Sequence, residues 1–135
     1  MKIVGVTHPV PPEFADRIYN EGKNVFVGKR CLCKVSDGDK FIIYESGRSK
    51  AYTGWADIKY ISKIKTNSVI RRYKQNLMIT KEEFDKYSKG RPQMFVIEFE
   101  NFEKFKNPVY PKRFVTVAGK YIYEDEFEKI KSKKD

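Results

Sequence analysis

The sequence predicts an α+β fold: a small, mixed, strongly curved β-barrel with two or three peripheral helices. Three observations carry this. Short apolar runs recur along the chain between turns rich in Gly, Pro, Asp and Lys. Helical periodicity is confined to a few short stretches. Those stretches fall at irregular intervals, whereas a doubly wound parallel sheet would alternate strand and helix throughout. At 135 residues the chain fits one compact domain, long enough to bury a core without staples. Residues 1–122 are expected to form the barrel and 123–135 a terminal helix and basic tail of the same domain.

Residues 2–6 are a short apolar run, read as the opening strand, which the prolines of His8-Pro9-Val10-Pro11-Pro12 interrupt by removing ladder donors. A helix is expected from Glu13, with Phe14 and Ile18 one turn apart, Ala15 and Tyr19 beside them, and Gly22 as its stop. Further strands are expected at 25–27, 32–35 and 41–44, and a long alternating one at 51–64 carries Trp55, Ile58, Tyr60, Ile61 and Ile64. Residues 66–75 read either as a helix from Ser68 or as irregular chain. Thr80 and Glu83 have capping-box spacing, with Phe84 and Tyr87 following and Gly90 closing that helix. A nearly continuous apolar run at 94–99 predicts a central strand, 101–107 a loop, and 114–117 the last strand. The acidic start and basic end of 123–134 suit a helix macrodipole.

Twenty-eight Lys and Arg stand against 18 Asp and Glu, a net charge of +10. Such an excess points to a polyanionic partner, RNA or a nucleotide. The 21 lysines against 7 arginines, with abundant Glu, Ile and Tyr, also fit thermal adaptation. Cys31 and Cys33 flank one residue, which on a strand puts them on one face as poor disulfide partners, and the single histidine, His8, leaves no zinc ligand set. No metal and no cofactor is expected. No apolar run approaches a membrane span and no secretory leader is read, so the expected location is the cytoplasm, without membrane contact.

The most ligand-friendly stretch follows the 41–44 strand: Ser46, Gly47, Arg48, Ser49 and Lys50 combine hydroxyls, backbone access and positive charge. Trp55, between Gly54 and Ala56, offers either a stacking face or a core ring, and Phe26 and Tyr44 face the same choice. His8, at a strand end, is either a ligand contact or a structural imidazole. Residues 59–91 hold ten basic and three acidic side chains, densest at Arg71-Arg72-Tyr73-Lys74. With Arg91 and the pair Lys29-Arg30, these are the candidate phosphate contacts. Walker, GxGxxG and GxSxG motifs are absent, and any Ser-His-Asp triad would need His8.

The order of elements resembles the PUA-like superfamily, which includes PUA, ASCH, EVE and YTH domains. The matching features are Thr7-His8-Pro9, the first helix, Gly22-Lys23-Asn24-Val25-Phe26-Val27, the Gly38-Asp39-Lys40 turn before Phe41-Ile42-Ile43-Tyr44-Glu45-Ser46, and the Gly54-Trp55-Ala56-Asp57-Ile58 strand. The chain also looks like an archaeal family of stand-alone PUA-like domains. The resemblance implies a mixed barrel with a cleft that recognises RNA or a modified nucleobase, and places Lys23 and Asn24 beside that cleft. An ASCH-type amidohydrolase acting on a modified nucleoside is the alternative, with Lys23 and Glu98 as its working pair. The threonine that such enzymes carry near the lysine is missing here, which favours binding over catalysis.

Overall fold

A computed structural model of the chain describes residues 1–30, 32 and 34–135. Among these described residues, six strands and four helices alternate irregularly: β1 (Ile3–Val10), α1 (Pro12–Glu21), β2 (Val25–Gly28), β3 (Lys40–Glu45), β4 (Ala51–Lys65), α2 (Thr66–Tyr73), α3 (Lys81–Tyr87), β5 (Gln93–Val109), β6 (Lys120–Tyr123) and α4 (Glu124–Lys133). The strands form one mixed sheet in the order β2-β5-β4-β3-β1-β6. β1 lies parallel to β3, and the other pairings between these strands are antiparallel. The expected α+β architecture holds, as a curved sheet that stays open between edge strands β2 and β6 rather than closing into a barrel.

Strand β3 explains why the sheet is covered on both sides. Its run Phe41-Ile42-Ile43-Tyr44 is buried throughout, and successive side chains of a strand point to opposite faces. Phe41 and Ile43 join a core with Val6, Ala56, Ile58, Ile97 and Phe99, under Ala15 and Ile18 of α1, Val69 of α2 and Phe84 of α3. Ile42 and Tyr44 join a second core with Tyr52, Trp55, Phe105 and Ile122, capped by Ile130 of α4.

Local signals set the helix boundaries. Gly22 ends α1 at φ +70°, in the left-handed region that glycine enters without steric cost. Thr80 accepts from the Glu83 amide while Glu83 accepts from the Thr80 amide, which completes the capping box. Thr66–Tyr73, the stretch that the sequence left open, is helical and forms α2.

Three expectations are corrected. The described residues of the predicted 32–35 strand are irregular, and the facing of Cys31 and Cys33 lies outside the described residues. The expected 101–107 loop is instead the far half of β5, which pairs along β4 as far as Tyr52 with Val109. Its side chains there are mostly exposed and polar, so the buried alternation that advertises a strand is missing, and Asn101 sits at φ +55° as a non-glycine exception. Residues 114–117 form no strand, and the last strand is β6, whose short KYIY segment pairs with β1.

Trp55 meets Phe105 edge-on at 5.3 Å between ring centroids and Phe127 at 5.1 Å, and it is only 6 % exposed. Truncation to alanine should therefore cost about 3–5 kcal/mol, as for other large core aromatics. Urea unfolding of Trp55→Ala followed by circular dichroism would check this, and a loss below ~1 kcal/mol would remove Trp55 from the core.

Candidate functional site

The first core opens at one end into a cleft of about 600 Å³. Its floor is His8 of β1 and Phe26 of β2, stacked with centroids 5.3 Å apart and planes 26° apart. Phe26 meets Phe41, and Phe41 meets Phe99, each at 5.3 Å, so the floor is fixed to the core by a chain of rings. Met78 and Ile79 line one wall and Tyr87 of α3 another, while Ser46 enters from the turn after β3. Lys29, Arg30 and Arg91 border it.

His8 is 1 % exposed, and its Nε2 is the one buried side-chain nitrogen or oxygen without a hydrogen-bond partner among the described residues. Burial lowers its pKa from 6.5 to about 4, so the ring is neutral at physiological pH. Gly119, at φ +74°, leaves the space this ring occupies: a Cβ there would fall 2.5 Å from Nδ1 and 2.6 Å from the Thr7 carbonyl oxygen. An unpartnered buried nitrogen costs roughly 1–3 kcal/mol, a cost a ligand hydrogen bond would relieve.

Glu83 also lines the cleft, but its charge is already matched. Arg17 donates to it at 2.6 and 3.3 Å, and this guanidinium, helped by the Thr80 amide, pulls the carboxyl pKa down to about 2. Arg17 also donates to the Met78 carbonyl, so one side chain ties α1, α3 and the cleft wall together. Lys29, Arg30 and Arg91 make no ion pair with a carboxylate among the described residues. The Lys29 ammonium lies over the Tyr87 ring, 4.7 Å from its centroid.

Of the candidates, the structure brings His8, Phe26, Ser46, Lys29, Arg30 and Arg91 together. Tyr44 and Trp55 lie on the other side of the sheet, in the second core. Lys23 donates to the Gln75 carbonyl, Asn24 to that of Phe99, and Glu98 pairs with Lys59 at 3.4 Å; none of the three lines the cleft. Arg48 and Ser49 turn inward to Glu45, Gly47 supplies the turn at φ +74°, and Lys50 lies over Phe114. Arg71 borders a separate shallow groove with Lys89 and Arg91, Arg72 covers the rings of Tyr60 and Tyr73, and Lys74 caps α2.

Sequence reasoning missed the walls. Tyr87 is three residues beyond Phe84, one step around α3, and that spacing could have placed it beside the core. Met78 and Ile79 carry no periodic signal, because an isolated pairing of Leu77 with Val25 sets their position.

Residues 3–124 match the model of a family described as a domain of unknown function, DUF365. The chain belongs to that family. The uncharacterized protein MJECS03 of Methanocaldococcus jannaschii is 35 % identical over 106 residues, 70 % of this chain and 98 % of its own length. Among solved structures, ASCH from Zymomonas mobilis aligns over 98 % of this chain and 96 % of its own with a TM-score of 0.88 at 16 % identity. The N-terminal domain of Staphylothermus marinus McrB aligns over 96 % and 92 % with a TM-score of 0.57, also at 16 % identity. At these identities the likeness is one of fold: this DUF365 chain has the fold of ASCH from Zymomonas mobilis, in line with the element order read from the sequence. Among the described residues no helix is long and apolar enough to cross a membrane.

The pKa of His8 sets a stability window. Its folded value, about 4, lies below 6.5, so between these values the unfolded chain binds more protons and stability rises with pH. Wild-type stability should therefore fall as pH drops from 6.5 towards 4, and His8→Gln should remove that part of the slope. Urea midpoints across this range would show it; equal slopes in both proteins would contradict a buried neutral imidazole.

Proposed function

We propose that the cleft binds RNA or a modified nucleotide, with the base against the His8–Phe26 floor and the phosphate at Lys29, Arg30 and Arg91. The observation that carries this reading is His8 Nε2, buried and, among the described residues, unpartnered at the floor of an apolar cleft edged by cations that have no carboxylate partner among those residues. A neutral imidazole suits the uncharged edge of a base, whereas a phosphate suits the border. Apolar walls and an aromatic floor fit a flat, weakly polar ring, and the +10 net charge favours approach of a polyanion. The resemblance of the element order to PUA-like domains implies the same use of the cleft, recognition of RNA or a modified nucleobase.

Two variants separate the halves of the reading. Binding of a short oligoribonucleotide should weaken with salt, with a log–log slope near −2 if all three border cations meet phosphates. Arg91→Glu should make that slope shallower. His8→Phe should weaken binding by about tenfold while leaving the slope unchanged, since it removes a base contact and no charge. Fluorescence anisotropy from 50 to 300 mM salt measures both, and an affinity indifferent to salt in the wild type would refute the proposal.

A further inference from the structure

We propose that the segment around Tyr110 and Phe114 is a stacking platform for nucleotides next to the one in the cleft, so that the partner of this face is single-stranded nucleic acid rather than a free nucleotide. This rests on the cleft reading above. Tyr110 and Phe114 are 69 % and 72 % exposed, the two most exposed aromatic rings among the described residues. The core takes only Val115 from this segment as a buried side chain, so packing gives no account of the exposed rings. They border a second hollow of about 450 Å³, together with Lys50, Lys112 and Arg113 and no carboxylate.

The cations and rings are interleaved. The Lys50 ammonium lies 5.3 Å from the Phe114 centroid, and Lys50 holds φ +51°, a left-handed conformation uncommon for a residue with a side chain. Flat faces flanked by unpaired positive charge are what a single strand requires: bases stack without regard to sequence while the cations follow the backbone. An acidic peptide would also answer the charge. Continuity with the cleft favours nucleic acid, because two separate chain segments join the hollows. The turn after β3 begins with Ser46 in the cleft and ends with Ser49 and Lys50 in the hollow, and Phe114 in the hollow is followed by Val117 in the cleft. Three residues span at most about 11 Å, so the two hollows are neighbours that one strand can cross.

The test compares full-length wild type, Tyr110→Ala/Phe114→Ala and His8→Phe. The probes are a fluorescein-labelled oligoribonucleotide of about eight nucleotides, its DNA counterpart and the four nucleoside 5′-monophosphates, a length within the usual single-strand footprint. The double variant should bind the oligonucleotide at least about tenfold more weakly, with mononucleotide binding and thermal midpoint unchanged. Either sugar supports the platform, since stacking does not need the 2′-hydroxyl. Unchanged oligonucleotide affinity, an equal loss for mononucleotides, no oligonucleotide binding by the wild type, or binding of polyglutamate in place of the oligonucleotides would each overturn it. If His8→Phe is silent while the double variant loses affinity, the cleft reading fails and the platform next to a cleft-bound nucleotide falls with it; loss for His8→Phe with an unaffected double variant rejects the platform alone.

Discussion

A strand that is apolar at every position buries its side chains only if both faces of its sheet are covered. β3 imposes that requirement here, and the rest of the architecture answers it. α1, α2 and α3 cover the Phe41–Ile43 face, and α4 with the far half of β5 covers the Ile42–Tyr44 face. The parallel pairing of β1 with β3 needs a crossover, which α1, β2 and the following segment supply. That crossover carries Phe26 to His8. The cleft floor is therefore a consequence of how the chain gets from β1 to β3.

Within the cleft, stability and recognition pull apart. The Phe26–Phe41–Phe99 ring chain and the Arg17–Glu83 pair hold floor and wall rigidly, while His8 Nε2 is left without a partner. Natural structures satisfy nearly all buried polar groups, so an unsatisfied one beside an opening marks a place where folding alone does not complete the chemistry. Glu83 shows the contrast. Its carboxylate faces the same space but is matched by a guanidinium and a backbone amide, so it does not cancel the positive border.

How much was legible in the sequence follows from the range of the forces involved. Gly22 and the Thr80–Glu83 box act within one helical turn, and both boundaries read correctly. The apolar run of β3 advertised its burial for the same reason. The far half of β5 hid because its side chains face water, and only pairing with β4 makes it a strand. His8 and Phe26 were visible as candidates through their place in a recognisable element order. Met78, Ile79 and Tyr87 were not, because long-range pairing and the docking of α3 decide their positions. Trp55 exposes the deepest ambiguity. Its strand was clear, but which face a residue takes depends on register and bulges, and β4 shifts register next to Trp55 in its pairing with β5.

The placement of that ring has a practical side. As the sole tryptophan, Trp55 dominates the protein's ultraviolet emission, and it sits across the sheet from the cleft, between Phe105 and Phe127. The Lys40 and Lys134 ammonium groups lie 5.0 and 5.4 Å from its centroid. Its emission is thus a built-in gauge of the second core and of α4 docking. Occupancy of the cleft, by contrast, needs a reporter on the other side of the sheet, where Tyr87 already stands at the wall.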